Sequence, residues 1–169
     1  SPLGRRRIAL GLAGEHNVMN ALAAAAAAHA AGAGIQAIVD GLTSMRAVTG
    51  RLEVRSAHAG ARMIDDSYNA NPASLRAGLR ALTSIPGRHW LVLGEMRELG
   101  PASAQLHAEM GEFARQTGVA RLLAVGDDAH HAVEAFGTGA TWFASVDDMI
   151  AALRAELGPD VTVLVKGSR

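Results

Sequence analysis

From position 51 to position 165 short aliphatic runs alternate with stretches of helical spacing, and most corners carry glycine. Helical spacing covers 73–84, 103–117, 128–136 and 146–157, and strand-like runs occupy 89–94 (HWLVLG), 121–126 (RLLAVG), 140–143 and 161–165 (VTVLV). No other feature constrains the fold as much. A strand followed by a helix and another strand is a crossover, and crossovers build parallel sheets. Strands buried on both faces need helices on both faces. Ahead of this pattern, "RLEVRSAHAGARMIDDS" reads as two short strands around a hairpin-like turn at Ala59-Gly60. The expected fold is α/β: a Rossmann-like, mostly parallel sheet with helices on both faces.

Residues 1–47 have a different texture. Positions 7–12 (RIALGL) predict a short edge strand, and "GEHNVMNALAAAAAAHAAG" predicts a helix, because alanine is the strongest helix former. Ile35, Ile38, Val39 and Leu42 recur at helical spacing in a second helix. One strand and two helices are too little to bury a core, so a domain break is expected within 47–51, around "RAVTGR". The whole chain has 169 residues, 49% of them apolar, and 16 acidic against 16 basic side chains. That balance gives no footprint for nucleic acid, and Arg5-Arg6-Arg7 reads as a solvated edge. Cysteine is absent, which excludes disulfides and thiolate zinc sites and suits a reducing cytoplasm. The alanine-rich stretch 21–33 is too short and too weakly apolar for membrane insertion. The chain begins without methionine and stops at "VLVKGSR", directly after a strand-like run. Both ends read as cuts, so a fragment of a longer protein is expected.

In a sheet of this kind, ligands bind beyond the carboxyl ends of the strands. Those ends carry Asp65-Asp66-Ser67-Tyr68-Asn69-Ala70-Asn71, Gly94-Glu95-Met96-Arg97-Glu98-Leu99-Gly100, Gly126-Asp127-Asp128 and Lys166-Gly167-Ser168-Arg169. Asp, Asn and Pro build turns and caps, but a turn needs one or two polar residues, and 65–71 packs in five: two aspartates, a tyrosine and two asparagines. One of the adjacent Asp residues suits a ribose hydroxyl and the other a helix cap. Asn17 and Asn20 share a helix face, where amides can match the edge of an adenine; helix capping beside a packed alanine stripe explains them equally. Gly50-Arg51 lies at the break, where a guanidinium reaches phosphates or forms a surface ion pair. The histidines show no ligand spacing, His130-His131 reads as an exposed helix start, and no metal site is predicted. Gly94-x5-Gly100 lacks the Gly-Lys-Ser/Thr ending of a phosphate loop, and no G-x-G-x-x-G occurs.

Five ordered motifs carry a resemblance over nearly the whole chain: "GEHNVMNALAAAAAA", "GRLEV", "DDSYNANPASLRAGLRAL", "LVLGEMRELGPASAQLHAEMG" and "VLVKGSR". Together they resemble the Mur ligases, ATP-dependent amide-bond ligases of peptidoglycan precursor synthesis. "DDSYNANP" with "LGEMRELG" is similar to the members that join D-alanyl-D-alanine to UDP-N-acetylmuramoyl-tripeptide. The resemblance implies that 1–47 ends a central ATP-binding domain and that 48–169 is the C-terminal domain without its final segment. The family's phosphate loop and magnesium ligands are not in this sequence. It also implies ATP and Mg2+ as cofactors, the Mg2+ held mainly by the missing part, a cytoplasmic location, and no nucleic-acid partner.

By the same resemblance, Asn17 and Asn20 face adenine, Arg51 reaches the phosphates and Asp66 holds the ribose. Tyr68, Asn69, Asn71, Arg97, Ser168 and Arg169 line the cleft for the incoming dipeptide, and Lys166 and Arg97 are the candidate catalytic groups. The implied reaction activates a carboxylate as an acyl phosphate, which the dipeptide amine attacks in a site closed against water. A fragment of this kind is expected to be inactive alone. Two rival readings are a non-catalytic nucleotide-binding module of the same fold and a folylpolyglutamate-synthase-like ligase. The run Tyr68-Asn69-Ala70-Asn71-Pro72 argues against the latter.

Overall fold

In the computed structural model, residues 5–12, 15–46 and 49–168 are described, without the side chains of 15 and 16. The chain divides into two units, Ser1–Val48 and Thr49–Arg169. In the first unit, helix α1 (Glu15–Ala30) contains the alanine run. It closes with Gly32 N–H donating to His29 O (2.9 Å) and Ala33 N–H to Ala28 O (2.9 Å), which satisfies carbonyls that a helix end leaves open. Helix α2 (Ile35–Ser44) follows and buries Ile38 and Leu42, one turn apart on a single face. The strand expected at 7–12 does not form. Residues 5–10 carry no regular structure and 11–12 are a bend. A strand needs a hydrogen-bonded neighbour, and every strand among the described residues belongs to the second unit.

The second unit follows the expected alternation closely. Strands β1 (Glu53–Ser56) and β2 (Arg62–Asp65) pair antiparallel, Val54 opposite Ile64, around a 3-10 turn at His58–Gly60. Then come α3 (Pro72–Thr83), β3 (Arg88–Gly94), α4 (Ser103–Gln116), β4 (Arg121–Val125), α5 (Ala129–Phe136), β5 (Ala140–Phe143), α6 (Val146–Glu156) and β6 (Val161–Lys166). The sheet order is β1-β2-β6-β3-β4-β5, and β2, β6, β3, β4 and β5 run parallel.

The last strand fills the slot between the second and the third. Crossovers through α3, α4 and α5 step across the sheet in one direction, and the crossover through α6 steps back. Right-handed connections then put α6 on the opposite face. The side chains agree. Leu91 and Leu93 pack with Leu75, Leu79, Met110, Ala132 and Phe136 from α3 to α5. The alternating Trp90 and Val92 pack with Met149 of α6. One consequence positions the site: the carboxyl ends of β2, β6 and β3 lie side by side where the chain changes direction.

Candidate functional site at the carboxyl edge of the sheet

The turn after β2 has a partner for each of its polar residues. Asp65 folds back on its own turn, accepting from Ser67 N–H (3.2 Å) and from the Ser67 hydroxyl (2.6 Å). Asp66 points the other way. Its Oδ2 is 2.6 Å from Lys166 Nζ, and its Oδ1 accepts from Leu52 N–H at 3.2 Å. Asn71 is the N-cap of α3: its Oδ1 accepts from Ser74 N–H (2.9 Å), and Ser74 Oγ accepts from Asn71 N–H (3.1 Å). Pro72 at the first helical position completes a favourable start. The cap expected of an aspartate is therefore Asn71. Both aspartates precede the helix by too many residues for a carboxylate to reach its first amides.

Lys166 ends β6, and its side chain is 1% exposed. The ammonium donates to Asp66 Oδ2 (2.6 Å), Asp66 O (3.3 Å) and Asn69 O (2.9 Å). An ammonium has three protons, so all are taken. The sequence suggests a catalytic Lys166; in the structure this lysine holds the 66–69 turn against the end of β6. A buried charge with its partners in place has no donor left to offer a substrate.

Ser168 joins three segments. Its hydroxyl proton is shared between Asn69 Oδ1 (3.0 Å) and Ala70 O (3.2 Å), while its oxygen accepts from Arg97 N–H (3.1 Å). Ser168 N–H donates to Glu95 O at 2.9 Å. Gly94 and Gly167 allow this closeness: a Cβ on Gly167 would lie 3.0 Å from the Gly94 Cα. Glu95 extends the web, accepting from Asp128 N–H at 3.2 Å and standing 3.9 Å from Arg97 Nε. The Arg97 side chain is 62% exposed, so its charge faces water at this edge.

The start of the unit is tied to the same corner. Gly50 O accepts from Tyr68 N–H (2.9 Å), and the Arg51 guanidinium lies 4.4 Å from the centre of the Tyr68 ring. Gly50 has φ +76°, and a Cβ there would meet Tyr68 N at 2.9 Å. Leu52, also left-handed with φ 48°, is held in that strained conformation by the Asp66 carboxylate on its amide. The five polar residues thus staple the chain's entry into the unit, the end of β6 and the start of α3 onto one turn.

Asn17 and Asn20 belong to the first unit, where Asn20 Nδ2 donates to Asn17 Oδ1 at 3.4 Å on one face of α1. Arg169 lies outside the described residues. Sequence reasoning missed His107. It is fully buried and accepts at Nε2 from Met96 N–H (2.9 Å), with Nδ1 2.9 Å from Ser103 O. Accepting at Nε2 places the proton on Nδ1, so this neutral imidazole links α4 to the 94–100 loop. Its position four residues after Ser103 was the available signal. Among the described residues, the Arg55 guanidinium is raised above the ordinary arginine value, first by its hydrogen bond to Glu53. A separate hollow of about 500 Å3, lined by Arg55, Arg62, Gly87, Asp160 and Thr162, opens at the amino ends of the strands, away from this corner.

The comparisons with known proteins follow this geometry. Residues 50–169 match the family described as "Mur ligase, glutamate ligase domain". The Escherichia coli (strain K12) UDP-N-acetylmuramoyl-tripeptide–D-alanyl-D-alanine ligase is 40% identical over 171 residues, covering 100% of this chain and 38% of that protein. The crystal structure of MurF from Acinetobacter baumannii superposes with a TM-score of 0.85 at 35% identity, covering 100% of this chain and 38% of that one. The MurF ligase of Thermotoga maritima, crystallised in complex with ADP, has a TM-score of 0.79 at 24% identity, which shows a shared fold. It is covered over 36% of its length by 94% of this chain. The chain therefore spans little more than a third of the relatives it matches.

Proposed function

The chain belongs to the Mur ligase family, and on that premise we propose that it is part of an ATP-dependent ligase joining D-alanyl-D-alanine to UDP-N-acetylmuramoyl-tripeptide. The observation that carries this reading is identity of 40% along the full chain to a ligase of that name. In this reading the work is peptidoglycan precursor synthesis in the cytoplasm. Residues 48–169 are the C-terminal domain, and 1–47 end the ATP-binding domain. The division between Val48 and Thr49, and a family match that starts at residue 50, support that boundary.

The site residues take the following roles in the proposal. Asn17 and Asn20 meet the adenine. Arg51, packed on Tyr68 at the entry to the unit, reaches the phosphates. Asp66 has spent two of its roughly four acceptor positions on Lys166 and Leu52. The remaining positions fit ribose hydroxyls, and its side chain keeps 14% exposure for them. Asn69, Asn71 and Ser168 hold the cleft-facing turns in shape, and Arg97 offers its exposed charge to the dipeptide carboxylate. Lys166 acts through Asp66 and not on the substrate. ATP binding by the chain is expected to be weak, because the phosphate loop and the Mg2+ ligands belong to the part of the ligase outside this sequence. The family chemistry activates the peptide carboxylate as an acyl phosphate for attack by the dipeptide amine. These residues would serve it by positioning the reactants and stabilising negative charge.

A chimera tests the proposal. The matching C-terminal part of the Escherichia coli relative is replaced by this chain, and phosphate release is followed with ATP, UDP-N-acetylmuramoyl-tripeptide and D-alanyl-D-alanine. Release that requires the dipeptide, at about 1 per second or more, is the expected result. A folded chimera that releases phosphate without regard to the dipeptide would refute the assignment. This chain alone should show no dipeptide-dependent turnover.

A further inference from the structure

Helix α5 carries a cluster that the ligase reading leaves unused. His130 Nδ1 stands 3.6 Å from Glu134 Oε1, and His131 Nδ1 stands 3.6 Å from Glu134 Oε2. The three ligand atoms all lie within 4.8 Å of one another. A metal with bonds of roughly 2.0–2.1 Å holds its tetrahedral ligands about 3.3 Å apart. Small side-chain rotations therefore close the set around one ion. The side chains are 49%, 42% and 61% exposed, so solvent is at hand for further ligands.

Their spacing explains why the sequence hid this. Two adjacent histidines diverge by about a quarter-turn of helix and look like no ligand pair. Glu134 is four residues after one and three after the other, the two spacings that share a helix face. It sits between them and draws both rings toward itself.

The surroundings are mixed but permissive. The positive end of the α5 dipole opposes a cation. Asp127 and Asp128, directly ahead of the helix, oppose that field with two carboxylates. Neutral imidazole and carboxylate donors suit late first-row ions and not Mg2+, which prefers oxygen and keeps its water. One face of the site is fixed by Trp142. Its indole donates to Gly126 O at 2.9 Å and meets the His130 ring edge-on at a centroid distance of 6.1 Å.

We propose that His130, His131 and Glu134 form a surface site for one divalent ion of the nickel, copper and zinc class. The site is independent of the ligase reading. Trp142 supplies a built-in reporter, since the other tryptophan, Trp90, is buried on the α6 face of the sheet.

The test uses the whole chain, freed of affinity tags. Zn2+ titrated in a calorimeter should bind saturably with one ion per chain, and Cu2+ should quench tryptophan fluorescence over the same stoichiometry. Mg2+ should do neither. Glu134→Gln and the double variant His130→Ala/His131→Ala should each weaken binding by about tenfold or more, since even outer partners of ligands are worth that much. Trp142→Phe should keep the heat and lose most of the quench. These side chains are exposed, and circular dichroism of each variant confirms that it is folded. Absence of saturable binding overturns the proposal. So does binding that persists unchanged in folded Glu134→Gln and His130→Ala/His131→Ala, which would place the ion on other histidines.

Discussion

Lys166 Nζ and Asp66 Oδ2 stand 2.6 Å apart, and they join the last strand of the sheet to the turn that follows β2, 100 residues earlier in the chain. The pair is shielded, with side-chain exposures of 1% and 14%. Breaking a buried pair costs more than the pair itself contributes, because one charge is left without a partner. Asp66→Ala should therefore destabilise the chain by roughly 3–5 kcal/mol. From the sequence alone, the same change is expected to leave the melting temperature nearly unmoved. Lys166→Met should be milder than Asp66→Ala, and the double variant should recover part of the loss. Chemical denaturation of the four proteins measures this, and strict additivity would show that the pair is not coupled.

Asn71→Ala tests the cap. Losing the bond to Ser74 N–H should cost about 1 kcal/mol, whereas Asn71→Asp and Asn71→Ser should retain most of the stability. A cleft role would act differently. In the dipeptide-dependent assay of the chimera it would lower the rate in all three variants, whatever their stability. Melts set beside those rates separate the two.

Gly111 lies in the middle of α4, where propensity alone favours alanine by about 1 kcal/mol. A Cβ at this position would collide with the backbone carbonyl of Ala132 in α5. Backbone cannot rotate aside as a side chain can, so Gly111→Ala should lower the melting temperature instead of raising it. The loss should be at least the 1–3 kcal/mol typical of overpacking.

Limited digestion with thermolysin, which cuts at the apolar residues that both units carry, should spare the second unit. In the first unit α1 leaves Val18, Met19 and Leu22 exposed at 48%, 64% and 59%. Few buried contacts allow local opening at low cost. Cuts should accumulate before residue 49, and mass measurement should find a resistant core beginning near Arg51. Equal protection on both sides of Gly50 would contradict this.

Most of the fold was legible because its signals are local. Period and propensity are properties of neighbouring residues, so every helix and each strand of the second unit could be placed within a few residues. The strand at 7–12 failed for the opposite reason. Its pattern was apolar enough, but a strand exists only with a partner, and pairing is not a local property. The same divide runs through the site. That polar groups would gather at the carboxyl edge followed from the order of strands and helices. Which group would hold which did not. Leu52, Asp66 and Lys166 meet because β6 is threaded between β2 and β3, and no spacing in the chain announces that. His107 likewise looks like one more polar residue on a helix until the 94–100 loop folds over it. The sequence by itself determined the alternation of elements and the chemistry available at the corner. Only the tertiary structure decided that Asn71 and not an aspartate caps α3, that Lys166 spends its charge inside the protein, and that Glu134 stands between two histidines. The physical reason is that a hydrogen bond or an ion pair depends on ångströms between atoms, and residues far apart in the chain acquire that distance only when the sheet closes.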